Sequence, residues 1–442
     1  MVHDIHTATW LSTVPQHWKT LRIKNLFAEI DERSETGEEE LLSVSHYTGV
    51  TKKRDSLENE DDFISNAKTL VGYKKVAEND LVSNIMLAWN GSLGISKYEG
   101  ITSPAYCVYR IKGDNNPHYY GYLFSTAIMK AEFRKKSFGI IDSRLRLYSD
   151  KFFSIPVTVP PKDEQDQIVN YIKAKSKKIK HFIQKKQAFI ELLKEQRQAV
   201  ISKAVTKGIN PEVTLKESGI KWLGDIPEHW GIRRLKFCLE EKLKYGANES
   251  GFEYNPDWYR YIRITDFSKG GILSEENKLF LPVEIGKEYE LKDGDILFAR
   301  SGATVGKTYQ FKKQDDSEKY CYAGYLIKAT PDGEIVSSDF LMLYSESLAF
   351  ENWKNSIFNK ATIENIGADK YSVLPITIPP KEEQADIIQF IKAETAKIDQ
   401  TIAKAEKEIE LIKEYREAMI AEAVLGKLDV KVHTKKVLEN AK

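Results

Sequence analysis

Ser301-Gly302-Ala303-Thr304-Val305-Gly306-Lys307-Thr308 comes close to the G-x-x-x-x-G-K-[ST] loop that cradles nucleotide phosphates. Serine stands where the first glycine belongs, and Tyr309-Gln310-Phe311 reads as a strand where such a loop must open a helix. The segment is therefore not read as a nucleotide site. Asn255-Pro256-Asp257-Trp258 has part of the Asn-Pro-Pro-aromatic pattern of amino methyltransferases, but lacks its second proline, and no G-x-G occurs to hold the cofactor. Pro256-Asp257 followed by Glu276-Asn277-Lys278 fits a loose nuclease pattern, which a chain with 65 acidic residues and many lysines produces by chance. The eight histidines form no triad or metal cluster. Two of them recur as His17-Trp18 and His229-Trp230, which points to packing rather than catalysis. No catalytic constellation emerges.

Basic and polar clusters are the better candidates for chemistry. The first half of the chain holds Lys52-Lys53-Arg54, Asn90, Arg134-Lys135-Lys136 and Arg144-Leu145-Arg146. The second holds Arg260, Arg263, Arg300, Ser301, Lys307, Asn359 and Lys360. Lys and Arg neutralise phosphates, while Arg and Asn can pair bidentately with base edges. Any one cluster also fits a solvated face.

What must position these residues is written twice. Val159-Pro160-Pro161-Lys162-Asp163-Glu164-Gln165 returns as Ile378-Pro379-Pro380-Lys381-Glu382-Glu383-Gln384, a shift of 219 (379 − 160). Trp10-Leu11-x-x-Val14-Pro15-x-His17-Trp18 returns as Trp222-Leu223-x-x-Ile226-Pro227-x-His229-Trp230, a shift of 212 (222 − 10). Each half is a Trp/Pro opening, a globular block (about Lys19–Ser154 and Gly231–Val373), and a long helix. Alternating strand candidates include Tyr259–Ile264 and Asp295–Arg300; helix candidates include Tyr119–Lys130 and Ser338–Trp353. The blocks share a faint frame: Asn79-Asp80-Leu81-Val82 parallels Gly294-Asp295-Ile296-Leu297, and Asn90-Gly91-x-x-Gly94 parallels Ser301-Gly302-x-x-x-Gly306.

The helical segments carry a seven-residue repeat. Val169, Ser176, Ile183, Ile190, Arg197 and Ala204 share one position, with Ile172, Ile179, Lys186, Leu193 and Val200 at the other. The second copy keeps this register in Ile388, Thr395, Ile402, Ile409, Arg416 and Ala423 with Ile391, Ile398, Ala405, Ile412 and Met419, which predicts a coiled-coil seam. Pro161 and Pro380 suit the first turn, and Gly208 and Gly426 the stops. Lys162–Val205 holds 11 basic and 5 acidic residues, net +6, whereas Lys381–Val424 holds 7 and 11, net −4. Opposite signs favour pairing with each other over self-pairing. A helix of ~44 residues is ~66 Å long. An antiparallel pair would set the two blocks at opposite ends about a pseudo-twofold axis, the geometry for reading two half-sites; an ordinary helical hairpin fits the helices as well.

With 442 residues, 41% hydrophobic and 30% charged, the chain has room for two or more soluble domains. No apolar run approaches the roughly 18–20 residues that span a bilayer. Met1–Trp10 shows no secretion signal, so the expected location is the cytoplasm and Cys107, Cys238 and Cys321 are expected as reduced core thiols. A net charge of +1 argues only against a uniformly basic surface.

Trp-Leu-Gly-Asp-Ile-Pro-Glu-His-Trp at 222–230, Gly-Asp-Ile-Leu-Phe-Ala-Arg-Ser-Gly-Ala-Thr-Val-Gly-Lys at 294–307 and Pro-Pro-Lys-x-Glu-Gln before both helices resemble the specificity subunit of type I restriction–modification enzymes. The resemblance runs through nearly the whole chain, twice over. The first block departs most: Leu87-Ala88-Trp89-Asn90-Gly91 stands where the second has Phe298-Ala299-Arg300-Ser301-Gly302, leaving the Arg300 position unsupported there. The resemblance implies an α+β chain of two target-recognition domains (1–154 and 211–373) and two long antiparallel coiled-coil helices (155–210 and 374–428), with a basic tail at 429–442 of no assigned role. Each domain would read one half of a split double-stranded DNA target, and the helices would set the unread spacer. The chain itself would be non-catalytic and bind no cofactor. Two methylase subunits using S-adenosylmethionine, and restriction subunits using ATP and Mg, would join it. A coiled-coil scaffold with two protein-binding domains remains the alternative, and a nuclease or ATPase in its own right a third reading.

Overall fold

The computed structural model describes residues 9–45, 49–53, 69–140, 145–267, 272–358 and 365–430. The chain forms two compact units: residues 1–186 with 407–442, and residues 187–406.

In unit 1, β1 (Lys19–Arg22) precedes β2 (Phe27–Ile30), β3 (Leu81–Ser83), β4 (Leu93–Ile95) and β5 (Cys107–Ile111). A four-stranded sheet of order β2-β5-β3-β4 is the centre of the block. Helices α1 (Pro117–Ser125), α2 (Ala127–Lys136) and α3 (Ser149–Ser154) follow, and β6 (Pro156–Val159) pairs antiparallel with β1. The long helix α4 (Lys162–Lys207) then begins.

Unit 2 repeats the plan with β7 (Gly231–Arg234), β8 (Lys244–Tyr245), β9 (Ile296–Ala299), β10 (Thr308–Gln310) and β11 (Leu326–Ala329). Its sheet order is β8-β11-β9-β10, the same arrangement as in unit 1. Helices α5 (Ser338–Ser345), α6 (Leu348–Phe358) and α7 (Ala368–Ser372) lead to β12 (Pro375–Ile378), paired with β7, and to α8 (Lys381–Val424). Tyr259–Ile262 pairs antiparallel with Leu279–Leu281 and parallel with Lys319–Tyr322 in a further three-stranded sheet.

Each core is completed by pieces of both long helices. In unit 1, Phe27, Tyr109, Tyr119, Phe124 and Phe152 cluster with Ile168 and Ile172 of α4 and with Met419, Ala423 and Val424 of α8. In unit 2, Phe298, Tyr344, Phe350 and Tyr371 cluster with Ala204 and Val205 of α4 and with Ile387 and Ile391 of α8. The helices run antiparallel within each unit. Arg416 meets Ser176 and Glu408 meets Lys186 in unit 1, and Asp399 meets Arg197 in unit 2. The polar heptad positions Ser176, Lys186, Arg197 and Arg416 thus find partners across the seam. Lys186 and Arg197 do so in ion pairs of the sign predicted by the net charges, while Thr395 donates to Ile391 O within its own helix. Gly208 (φ +74°) and Gly426 (φ +68°) end the helices in the left-handed conformation expected of them. Pro161 and Pro380 sit one residue before their helices, and their carbonyls accept from Gln165 N at 3.0 Å and Gln384 N at 2.9 Å.

Four local expectations need correction. Tyr119–Lys130 is not one helix: Thr126 ends α1 and accepts from Met129 N at 3.3 Å, capping α2. Ser338–Trp353 breaks in the same way, where Ser347 accepts from Phe350 N at 3.3 Å. The strand at 259 stops at Ile262, because Asp266 turns back to accept from Arg263 N at 2.8 Å. Both Tyr259–Ile262 and Ile296–Ala299 are buried along their length, covered on both faces instead of alternating.

Candidate nucleic-acid interface

The strand registers align the two blocks at a single shift. Leu81 pairs with Ile95 as Ile296 pairs with Gln310, a shift of 215 (296 − 81 and 310 − 95). Turns of nine residues, 84–92 and 299–307, then correspond residue for residue. A buried aspartate anchors each preceding turn. Asp80, after Asn79 at φ 71°, accepts from Ala77 N at 2.9 Å; Asp295, after Gly294 at φ 89°, accepts from Lys292 N at 2.8 Å. Arg110 holds Asp80 at 2.9 Å, whereas Thr330 and Lys328 surround Asp295, and burial pushes the Asp295 carboxyl up.

This register corrects the motif alignment read from sequence. Gly91 matches Gly306 instead of Gly302. Both have positive φ, and a Cβ on either would strike a lysine of the helix above, Lys130 or Lys354. Arg300 matches Ile85 and not the Leu87–Gly91 stretch. The partners agree, since Ile85 O accepts from Leu147 N and Arg300 O from Ile366 N, each at 2.9 Å. The turn 299–307 runs into β10 and not into a helix, so the phosphate-loop likeness ends where the sequence said it would.

In unit 1 the turn, the end of α2 and the segment 145–148 come together. Exposed Arg134 lies 5.0 Å over the Trp89 ring, and Trp89 Nε1 donates to Met86 O at 3.1 Å. Exposed Asn90 and Lys135 lie on the turn and on α2. Half-buried Arg146 exchanges two 2.9 Å backbone bonds with exposed Phe138. Lys52 and Lys53 lie instead on the hairpin that begins at Leu42, where Lys52 is 3.5 Å from Glu40 and 5.5 Å over Tyr98.

In unit 2, Arg300, Ser301 and Lys307 share one turn. Arg300 lies 5.1 Å over the Tyr245 ring, Ser301 is bridged to Asn365, and Lys307 is exposed. Arg260 and Arg263 are not part of this group. Arg260 is 3% exposed and held by Glu275 at 3.1 Å and Glu318 at 3.5 Å, so DNA cannot reach it in this structure. Arg263 is chelated by Asp266, at 2.8 and 3.2 Å. Arg54, Arg144, Asn359 and Lys360 lie outside the described residues. No sequence pattern marks Trp89, Tyr245 or exposed Tyr325 as companions of these arginines.

Among the described residues no cluster of His, Cys, Asp and Glu could hold a metal, and no helix is long and apolar enough to cross a membrane. Cys107, Cys238 and Cys321 are free and buried, and burial pushes the Cys238 thiol to about 11 and Cys321 to about 12.

The family model for the type I restriction modification DNA specificity domain matches this chain twice, over residues 15–192 and 227–411. The chain belongs to that family. Each match takes in one block and the start of its long helix, so the family's unit is the repeat seen in the sequence. The chain is 26% identical over 214 residues to the type I restriction enzyme EcoKI specificity subunit of Escherichia coli (strain K12), covering 47% of this chain and 45% of that protein. It is 25% identical over 219 residues to the StySPI specificity subunit of Salmonella potsdam, covering 46% and 44%. The chain thus spans about half the length of the curated relatives it matches. A chain solved in a study of complex assembly and conformational transition of the type I R-M system shares the fold, with a TM-score of 0.68, 15% identity, and coverage of 94% of this chain and 99% of that one.

Proposed function

We propose that this chain is the DNA-reading subunit of a type I restriction–modification complex. One observation carries the proposal beyond family membership: each unit lays an exposed or half-buried arginine over an aromatic ring beside an equivalent nine-residue turn, with the remaining basic side chains different. That is one scaffold holding two chemically distinct surfaces, as a split target requires. In this reading unit 1 meets one half-site through Asn90, Arg134, Lys135 and Arg146. Unit 2 meets the other through Arg300, Ser301 and Lys307. Lysines clamp phosphates and fix position, and arginine and asparagine enter the major groove.

The paired helices set the unread spacer and offer a docking face to two methylase subunits. The chain supplies no catalysis of its own. Adenine methylation belongs to those partners and their S-adenosylmethionine, and ATP- and Mg-dependent translocation and cleavage to restriction subunits, in the cytoplasm. Salt dependence separates this reading from a protein-binding scaffold. Binding of the purified complex to duplex DNA should weaken steeply as salt rises, because each neutralised phosphate adds about −0.9 to the log–log slope. A complex that ignores duplex DNA at all salt concentrations would support the scaffold.

A further inference from the structure

Three arginines of unit 2, Arg260, Arg263 and Arg300, are held in different ways. Arg260 and Arg263 are each held by carboxylates together with a backbone carbonyl, Ser274 O and Asn277 O respectively. Arg300 has a 3.4 Å hydrogen bond to Gly324 O, and its Nε–H is enclosed without an acceptor among the described residues. A guanidinium carries five donors in one plane, so Arg300 has unused hydrogen-bonding capacity. Its position, by contrast, is fixed. Arg300 N donates to Tyr325 O at 3.0 Å, Arg300 O accepts from Ile366 N at 2.9 Å, and the Tyr245 hydroxyl beneath it accepts from Ala368 N at 2.9 Å. Among the described residues the surroundings are open: Tyr325 is 64% exposed, and none of them lies within 4 Å of a Cβ built on Gly302.

Resting on the DNA-reading function above, we propose that Arg300 reads a guanine in the half-site met by unit 2 and that Tyr245 is the positioning residue that holds its plane. A guanidinium stacked on a ring keeps its face covered and its in-plane donors along one edge, which suits the O6 and N7 acceptors of guanine. Lys307, exposed in the same turn, is the better phosphate partner, being a point charge without a fork. The equivalent of Arg300 in unit 1 is half-buried Ile85, followed by exposed Met86 and Leu87, so this contact belongs to one half-site only.

The test is selection from a duplex library randomised in both halves, using the complex assembled from the full chain and its methylase subunits. Wild type should enrich a guanine at one position that Arg300→Ala and Arg300→Lys both lose, by roughly 5- to 150-fold, with other positions kept. Tyr245→Phe retains the ring and should retain the guanine; Tyr245→Leu should relax it. If Tyr245→Leu fails to assemble, Arg300→Lys decides. Uniformly weaker binding to all sequences with a reduced salt slope would make Arg300 a phosphate contact and overturn the proposal, as would an unchanged motif. A wild-type complex that binds duplex but enriches no guanine in that half defeats this inference alone. A complex that binds no duplex defeats the reading beneath it.

Discussion

The Trp18 indole nitrogen donates a 2.8 Å hydrogen bond to Glu164, in the first turn of α4. His17 approaches the same carboxylate at 3.1 Å. Unit 2 repeats the arrangement, with Trp230 at 2.9 Å and His229 at 2.8 Å from Glu383. The repeated His-Trp and the repeated Pro-Pro-Lys-x-Glu-Gln are therefore two ends of one joint. The glutamines belong to it as well. Gln165 accepts from Asn116 N at 2.8 Å and Gln384 from Ser337 N at 2.9 Å, tying each helix start to the helical part of its block.

Trp230 is 1% exposed, so removing its acceptor leaves a buried donor unpaired. Glu383→Ala should destabilise the protein by about 1–3 kcal/mol, and Glu383→Gln, which keeps an acceptor, by less. Urea unfolding monitored by tryptophan fluorescence measures both. Equal midpoints for wild type and Glu383→Ala would show that the joint contributes nothing.

The two helix stops should respond unequally to a methyl group. A Cβ at Gly426 would lie 2.5 Å from Pro15 Cδ and 2.8 Å from Trp18, whereas at Gly208 the nearest atoms are Glu383 at 3.2 Å and Trp230 at 3.4 Å. Both substitutions incur the left-handed penalty of roughly 1–2 kcal/mol. Gly426→Ala adds a clash and should lower the melting temperature more than Gly208→Ala. The reverse order in calorimetry would contradict this packing.

Acid stability should depend on Glu241. Lys244 and then Lys328 hold its carboxyl down to about 2, from an ordinary 4.5. A depressed carboxylate stabilises the fold above its unfolded pKa and loses that contribution as pH falls from about 4.5 towards about 2. Asp295 nearby is shifted upwards by burial and acts in the opposite sense, so the difference between proteins is the informative quantity. The stability gap between wild type and Glu241→Gln should be constant above pH 5 and close below it. A gap independent of pH would exclude the ion pairs as its cause.

The paired helices can be tested as a ruler. One heptad inserted in both α4 and α8 keeps the seam in register and lengthens each by ~10.5 Å. The unread spacer should grow by roughly three base pairs, at 3.4 Å per step. A modified motif with its original spacer would remove the ruler from the account.

The frame of the molecule was legible because repetition and heptad spacing are properties of the chain itself. Val169, Ile172, Ile391 and Ala423 are buried as their register predicted. The helix breaks at Thr126 and Ser347 were hidden because a capping hydroxyl in a helical pattern is indistinguishable from a tolerated one until its partner is known. The site was legible only in part. Arg260, Arg263 and Arg300 are equally basic in sequence, and their differing surroundings depend on carboxylates 15, 3 or 58 residues away or on a ring 55 residues earlier (300 − 245). The match of Gly91 to Gly306 needed strand register, since sequence spacing placed it four residues off.

The most direct test is a base-resolution methylome of the source cell with this gene intact and deleted. The account predicts that deletion removes adenine methylation at one split motif with a fixed gap and leaves every other motif unchanged. Methylation identical at all motifs in the two strains, with a methylase shown to be present, would contradict it.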